Sequence, residues 1–270
     1  PWLNEALASE KVKWNLWNSY KKHLIIEKNF PPNTVDKIDD LTNSILDKCF
    51  NPTLKGAWDR RGMVVGNVQS GKTANYTGLI NKATDAGYRF IVVIAGIHNA
   101  LRSQTQERID EGFIGRDSSH IINKKPELRV GVGNDSRNQE IFTYTSSDDK
   151  GDFDISIAKR FKFPIGTIPT ILVIKKNKSI LENLILWLNQ FAIDSQGTRK
   201  IFDVPLLVID DEADNASVNS GTHLEVKTIN GLIRTLLNLF TQNTFIGYTA
   251  TPYANLFIPD NWIKELNINI

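Results

Sequence analysis

The feature that most restricts this chain is the octapeptide GNVQSGKT at residues 66–73. It meets G-x-x-x-x-G-K-[ST] at every position. It also stands between an apolar run, GMVVG (62–66), and a helix-forming stretch from residue 71 to about residue 86. Gly66 and Gly71 allow a tight backbone and close approach of an anion. The N–H groups of Asn67, Val68, Gln69, Ser70 and Gly71 then converge on a phosphate, reinforced by the N-terminus of the helix that follows. In that arrangement Lys72 neutralises the β- and γ-phosphate oxygens, and Thr73 offers its hydroxyl to Mg²⁺. The alternative is a glycine-rich turn with an exposed lysine.

The surrounding pattern favours the phosphate reading. YRFIVVIA (88–95), TILVIKK (170–176), VPLLVID (204–210) and TFIGYTA (244–250) are short β-rich runs, separated by stretches that read as helix. Fully apolar strands alternating with helices predict an α/β fold, a doubly wound, mainly parallel sheet covered on both faces. Residues 1–57 read as a helical extension, with one helix over 5–24 and another after Pro31-Pro32 capped by Asn33 or Thr34. That extension is expected to be an appendage or a partner contact. The ATPase-type domain is then expected over 58–270, with an insertion of short strands around 111–169.

Two strand ends carry further chemistry. VPLLVIDDEAD (204–214) closes an apolar strand on Asp210, Asp211, Glu212 and Asp214. Crowded carboxylates need a cation or protons between them. At the C-terminal edge of a parallel sheet they face the ligand crevice, where the phosphate loop also opens. Asp211 can then reach Mg²⁺, and Glu212 can orient and deprotonate the attacking water; the alternative is a solvated acidic loop. TFIGYTATPYAN (244–255) ends in Thr249, Ala250 and Thr251, small residues able to bond the acidic cluster, and Pro252 stops the strand.

Composition adds limits. Thirty-two Lys+Arg against 30 Asp+Glu give +2, so net charge does not announce a nucleic-acid binder. One cysteine, Cys49, excludes an intrachain disulfide and a zinc site with several Cys ligands. No apolar run reaches ~18 residues, so no membrane partner is expected. The N-terminus lacks a signal-peptide pattern, and a cytoplasmic protein is the default expectation.

Taken together, GKT (71–73), DEAD (211–214) and TAT (249–251) resemble motifs I, II and III of the first RecA-like domain of superfamily-two helicases and translocases. The resemblance runs from residue 61 to about 258. GNVQSGKTANYTGLINKATDAGY, AGIHNALRSQTQERID and GYTATPYANLF are similar to bacterial proteins in which a helicase-type ATPase accompanies the Z-one endonuclease domain. The resemblance implies ATP and Mg²⁺ as ligands and site roles for Lys72, Thr73, Asp211, Glu212, Thr249 and Thr251. It also implies a restriction or anti-phage setting, with nucleic acid, chiefly DNA, as partner. A second RecA-like domain with arginine fingers is implied for the full-length protein and is not expected within these 270 residues. No stretch after Thr251 offers an arginine, and Arg60 and Arg61 precede the loop. The expectation is therefore that these 270 residues bind Mg·ATP but hydrolyse it very slowly.

Nucleic-acid contacts are sought at two further strand ends. His98, Asn99, Arg102, Ser103 and Gln104 can donate to phosphates from a helix start, and Lys175, Lys176, Asn177 and Lys178 can act as point charges. Solvated strand ends and an ordinary helix cap are the alternatives. Lys159, Arg160 and Lys162, interleaved with Phe161 and Phe163, form a weaker candidate. Phe50, Trp58 and Arg60 either stack an adenine or pack. Glu225-Val226-Lys227 is an E-x-K expected to open a helix rather than serve a nuclease. His23, His98, His120 and His223 show no metal spacing. Two rivals remain: a phosphate-loop ATPase switch that works through protein partners, and a phosphate-loop kinase.

Overall fold

The computed structural model describes residues 1–66, 71–135, 139–161, 165–195, 197–211, 213, 223–250 and 267–269; for 223–227 and 267–269 it describes the backbone alone. Three helices come first: α1 (Leu3–Ala8), α2 (Leu16–Ile26) and α3 (Pro32–Lys48). Then β1 (Trp58–Val65), α4 (Lys72–Ala86), β2 (Phe90–Ala95) and α5 (Asn99–Ile109) alternate. The stretch expected as an insertion holds a π-helical turn (Asp110–Ile114), α6 (Ser118–Ile122), a 3₁₀ turn (Gly131–Asn134), β3 (Phe142–Thr143) and α7 (Ile155–Ala158). After it come β4 (Thr170–Ile174), α8 (Lys178–Leu188), the small hairpin of β5 (Ile193–Ser195) and β6 (Thr198–Lys200), β7 (Leu206–Asp211), α9 (His223–Leu239), β8 (Gln242–Thr249) and β9 (Asn267–Asn269).

The main sheet has the order β3-β4-β2-β7-β8-β1-β9, and every pairing in it is parallel. β8 lies between β1, which leads into the phosphate loop, and β7, which carries the acidic cluster. This is a doubly wound, parallel α/β arrangement, and it brings the C-terminal ends of β1, β7 and β8 to one sheet edge.

Strand periodicity divides the core in two. Ile91, Val93, Ile171, Val173, Leu207 and Ile209 face α4 and the N-terminal helices, whereas Phe90, Val92, Ile94, Leu172, Leu206 and Val208 face α8 and α9. Helices cover both faces, which is why β2 and β4 are buried at every residue.

The N-terminal helices are part of this core rather than an appendage. Leu3, Leu16, Ile45 and Leu46 share one apolar cluster with Tyr76, Leu79 and the sheet. The single helix expected over 5–24 is broken, with Glu10 at φ 55° between α1 and α2. No side chain local to α2 caps it. Asp85 of α4 accepts from the N–H groups of Leu16 and Trp17 at 3.0 and 3.1 Å. α3 begins at Pro32, without the Asn33 or Thr34 cap expected; a proline in the first turn has no N–H to satisfy. Lys82 of α4 is fully buried between these layers. Its ammonium donates to the Asp39 carboxylate and to Asn43 Oδ1, and it lies 4.4 Å from the Trp17 ring centre. Burial pulls its pKa down to about 8, against the opposing pull of Asp39.

Candidate nucleotide site

Parallel strands bring their C-terminal ends to a common edge. Ala95 pairs with Asp211, Asp211 with Tyr248, and Val65 with Thr249. The Gly66 N–H donates to the Thr249 carbonyl at 2.9 Å, tying the start of the phosphate loop to the end of β8. Gly71 enters α4 at φ 72°, a left-handed conformation suited to glycine, and a Cβ there would meet nothing within 4 Å. The N-cap residue of α4, Gly71, has no side chain with which to cap it, and no described side chain takes that place.

A cavity of about 580 Å³ opens at this edge, lined among others by Gly71, Lys72, Thr73, Thr105, Arg108 and Asp211. That lies within the ~300–1,000 Å³ typical of small-molecule sites. Lys72, Thr73 and Asp211 are all partly exposed in it. Tyr76, one turn along α4 from Thr73, is fully buried, and its Oη has no hydrogen-bond partner among the described residues. Burial raises this phenol far above its ordinary value, and the charge of nearby Asp211 adds to the rise. A cation, a hydroxyl and a carboxylate, from Lys72, Thr73 and Asp211, at a helix N-terminus fit a phosphate anion with a hard divalent ion.

The remaining expected residues fall into three groups. Asn67, Val68, Gln69, Ser70, Glu212, Asp214, Thr251, Lys162 and Phe163 lie outside the described residues. His98, Asn99, Gln104 and Lys178 are exposed, and Lys175 is half-buried. Thr249 is fully buried at the end of β8.

Other candidates are engaged inside the molecule, contrary to the expectation of a nucleic-acid contact. Arg102 is fully buried; its guanidinium donates to the carbonyls of Ser146 at 2.8 Å and Asp148 at 2.6 Å, holding the 146–151 turn. Ser103 Oγ donates to the Ser147 carbonyl of the same turn. Lys176 is buried against Asp210, so Asp210 belongs to an ion pair and not to the open acidic cluster. Asn177 caps α8 by accepting from Ser179 and Ile180. Phe50 stacks on Trp58 with ring centres 5.1 Å apart, and Arg60 lies 5.4 Å from the Phe50 ring centre, so these residues pack on one another. Phe161 packs on Phe142 and Tyr144. The backbone of Glu225-Val226-Lys227 lies in α9.

Two site residues have no motif signature. Tyr76 follows Thr73 by three residues, a spacing that puts both on one helix face. Arg108 follows Gln104 by four on α5, but nothing local says that α5 ends beside α4.

Comparison with protein-family models gives no match, and comparison with curated proteins gives none. Among solved structures, 42 chains match. One is the Sulfolobus solfataricus SWI2/SNF2 ATPase core in complex with dsDNA, at TM-score 0.39 and 9% identity over 82% of this chain and 32% of that one. This chain therefore spans about a third of that protein's length.

Proposed function

We propose that this chain is the nucleotide-binding motor domain of a helicase-like nucleic-acid translocase, using ATP and Mg²⁺. The observation that carries the reading is the convergence of Lys72, Thr73 and Asp211 on one cavity at the N-terminus of α4. The α4 N–H groups and Lys72 hold the phosphates in place. Thr73 and Asp211 are the residues that would hold the metal. When bound, Mg²⁺ supplies charge neutralisation of the phosphate oxygens. Glu212 is assigned the role of orienting and deprotonating the attacking water, with Thr249 and Thr251 beside the acidic cluster. A second RecA-like domain and a Z-one domain are the proposed companions in a bacterial restriction or anti-phage system acting on DNA.

The direct test is calorimetric titration of this chain with Mg·ATP. Lys72→Ala is expected to weaken binding at least about tenfold, because the phosphates lose their fixed cation. Equal affinity of variant and parent rejects the site.

The protein-partner switch stands as a second reading, favoured by one observation: Arg102 and Lys176 are engaged internally. It predicts the same nucleotide affinity but no stimulation of turnover by DNA in the full-length protein.

A further inference from the structure

Arg108 lies in the last turn of α5, and its Nη1 donates to Thr73 Oγ1 at 3.1 Å. This is the same hydroxyl that the nucleotide reading gives to the metal. Arg108 is exposed and forms no ion pair with any described residue. Glu111, one turn further on, pairs instead with Lys28 at 2.6 Å. The guanidinium thus enters the cavity without a carboxylate of its own.

The placement is held from behind. Gly112, in the π-helical turn that follows α5, packs so closely that a Cβ would lie 2.8 Å from the Tyr20 ring and 2.9 Å from Thr77. Asn81 Nδ2 donates to the Gly112 carbonyl at 3.0 Å. The end of α5 is therefore docked on α2 and α4.

Among the described residues, the charged and titratable groups facing the cavity are Lys72, Arg108 and Asp211, together with the self-compensating Lys28–Glu111 pair and His23. Lys72, Arg108 and the α4 N-terminus together form a positive corner of this cavity, which suits a phosphate. A metal ligated by Thr73 repels a guanidinium 3.1 Å from the same oxygen. Arg108 must then turn to another acceptor, and the planar fork of a guanidinium matches phosphate oxygens.

We propose that Arg108 is a phosphate-contacting residue supplied in cis, which leaves Thr73 when the metal–nucleotide complex binds and pairs with the terminal phosphate of a nucleoside triphosphate. This rests on the nucleotide reading above and deepens it. It also revises the expectation that no arginine of this chain reaches the site.

The test is calorimetry of this chain with Mg·ATP and Mg·ADP, on the parent, Arg108→Ala, Arg108→Lys and Lys72→Ala, with thermal unfolding of each protein free of nucleotide. Arg108→Ala is expected to lose about tenfold in ATP affinity and less than about threefold in ADP affinity, with Arg108→Lys intermediate. Its nucleotide-free unfolding midpoint stays at the parent value, since the side chain is exposed. Unchanged affinity for both nucleotides overturns the inference while leaving the site intact. Equal losses for ATP and ADP also overturn it, because they show that Arg108 only positions Thr73. A parent that binds neither nucleotide, or as weakly as Lys72→Ala, rejects the nucleotide reading and the inference with it.

Discussion

The ammonium of Lys176 sits 3.1 and 2.9 Å from the two carboxylate oxygens of Asp210, and both side chains are buried. The pair links the ends of β4 and β7 across β2. Removing one partner leaves a buried, uncompensated charge. Lys176→Met is therefore expected to cost about 3–5 kcal/mol in urea unfolding, and Lys176→Met with Asp210→Leu to recover most of that loss. A single variant as stable as the parent would show that water reaches the pair.

Any search for nucleic-acid contacts must therefore avoid Lys176 and Arg102. Exposed Lys178 and half-buried Lys175 remain at that strand end. In the full-length protein, Lys175→Ala with Lys178→Ala should lower the slope of log affinity against log salt by up to about two. The check is a DNA-binding titration from low to high salt. An unchanged slope rules out this strand end as a backbone contact.

Asp110 sets a pH dependence. Its carboxylate accepts from Gln106 Nε2, the Ser118 N–H and Ser118 Oγ, yet burial pushes its pKa up to about 7. The unfolded value is ~3.9, so the folded state holds this proton more tightly. The resulting stabilisation is complete below pH ~4 and is lost as pH rises through about 7, an effect on the order of a few kcal/mol. His23, whose pKa burial lowers, acts in the opposite direction, so the informative quantity is the difference between parent and Asp110→Asn. Thermal midpoints measured from pH 5 to 8 should fall more steeply in the parent than in the variant. Parallel curves would place the Asp110 proton in ordinary carboxylate range.

The Tyr76 hydroxyl is buried with no partner among the described residues. Tyr76→Phe removes an unsatisfied polar atom and should leave nucleotide-free stability unchanged, or raise it by about 1 kcal/mol. A clear drop in stability without nucleotide would mean that the hydroxyl is already bonded.

The strands were legible because their composition leaves few choices. FIVVIA and TILVI have no polar face, so only a sheet sandwiched between helices accommodates them. The common edge of Gly71, Lys72, Thr73 and Asp211 follows from parallel pairing once the strands are placed. The break before α2 was not legible, because its cap, Asp85, arrives from the far end of another helix. Arg102 and Lys176 read as surface cations, since nothing local reveals a buried carbonyl or carboxylate partner. Arg108 escaped notice because its role depends on where α5 docks and not on any motif.

The register of β1 has a consequence for biosynthesis. Both described neighbours of this strand, β8 and β9, lie far downstream of it in the sequence. The ribosome must add ~180 residues after Val65 before Thr249 exists to pair with it. At ~5–20 residues per second that is roughly 10–40 seconds, during which the strand feeding the phosphate loop has no sheet to join. Chaperone protection of nascent chains is most needed in that interval, and truncation anywhere before β8 leaves Lys72 without the frame that aims it.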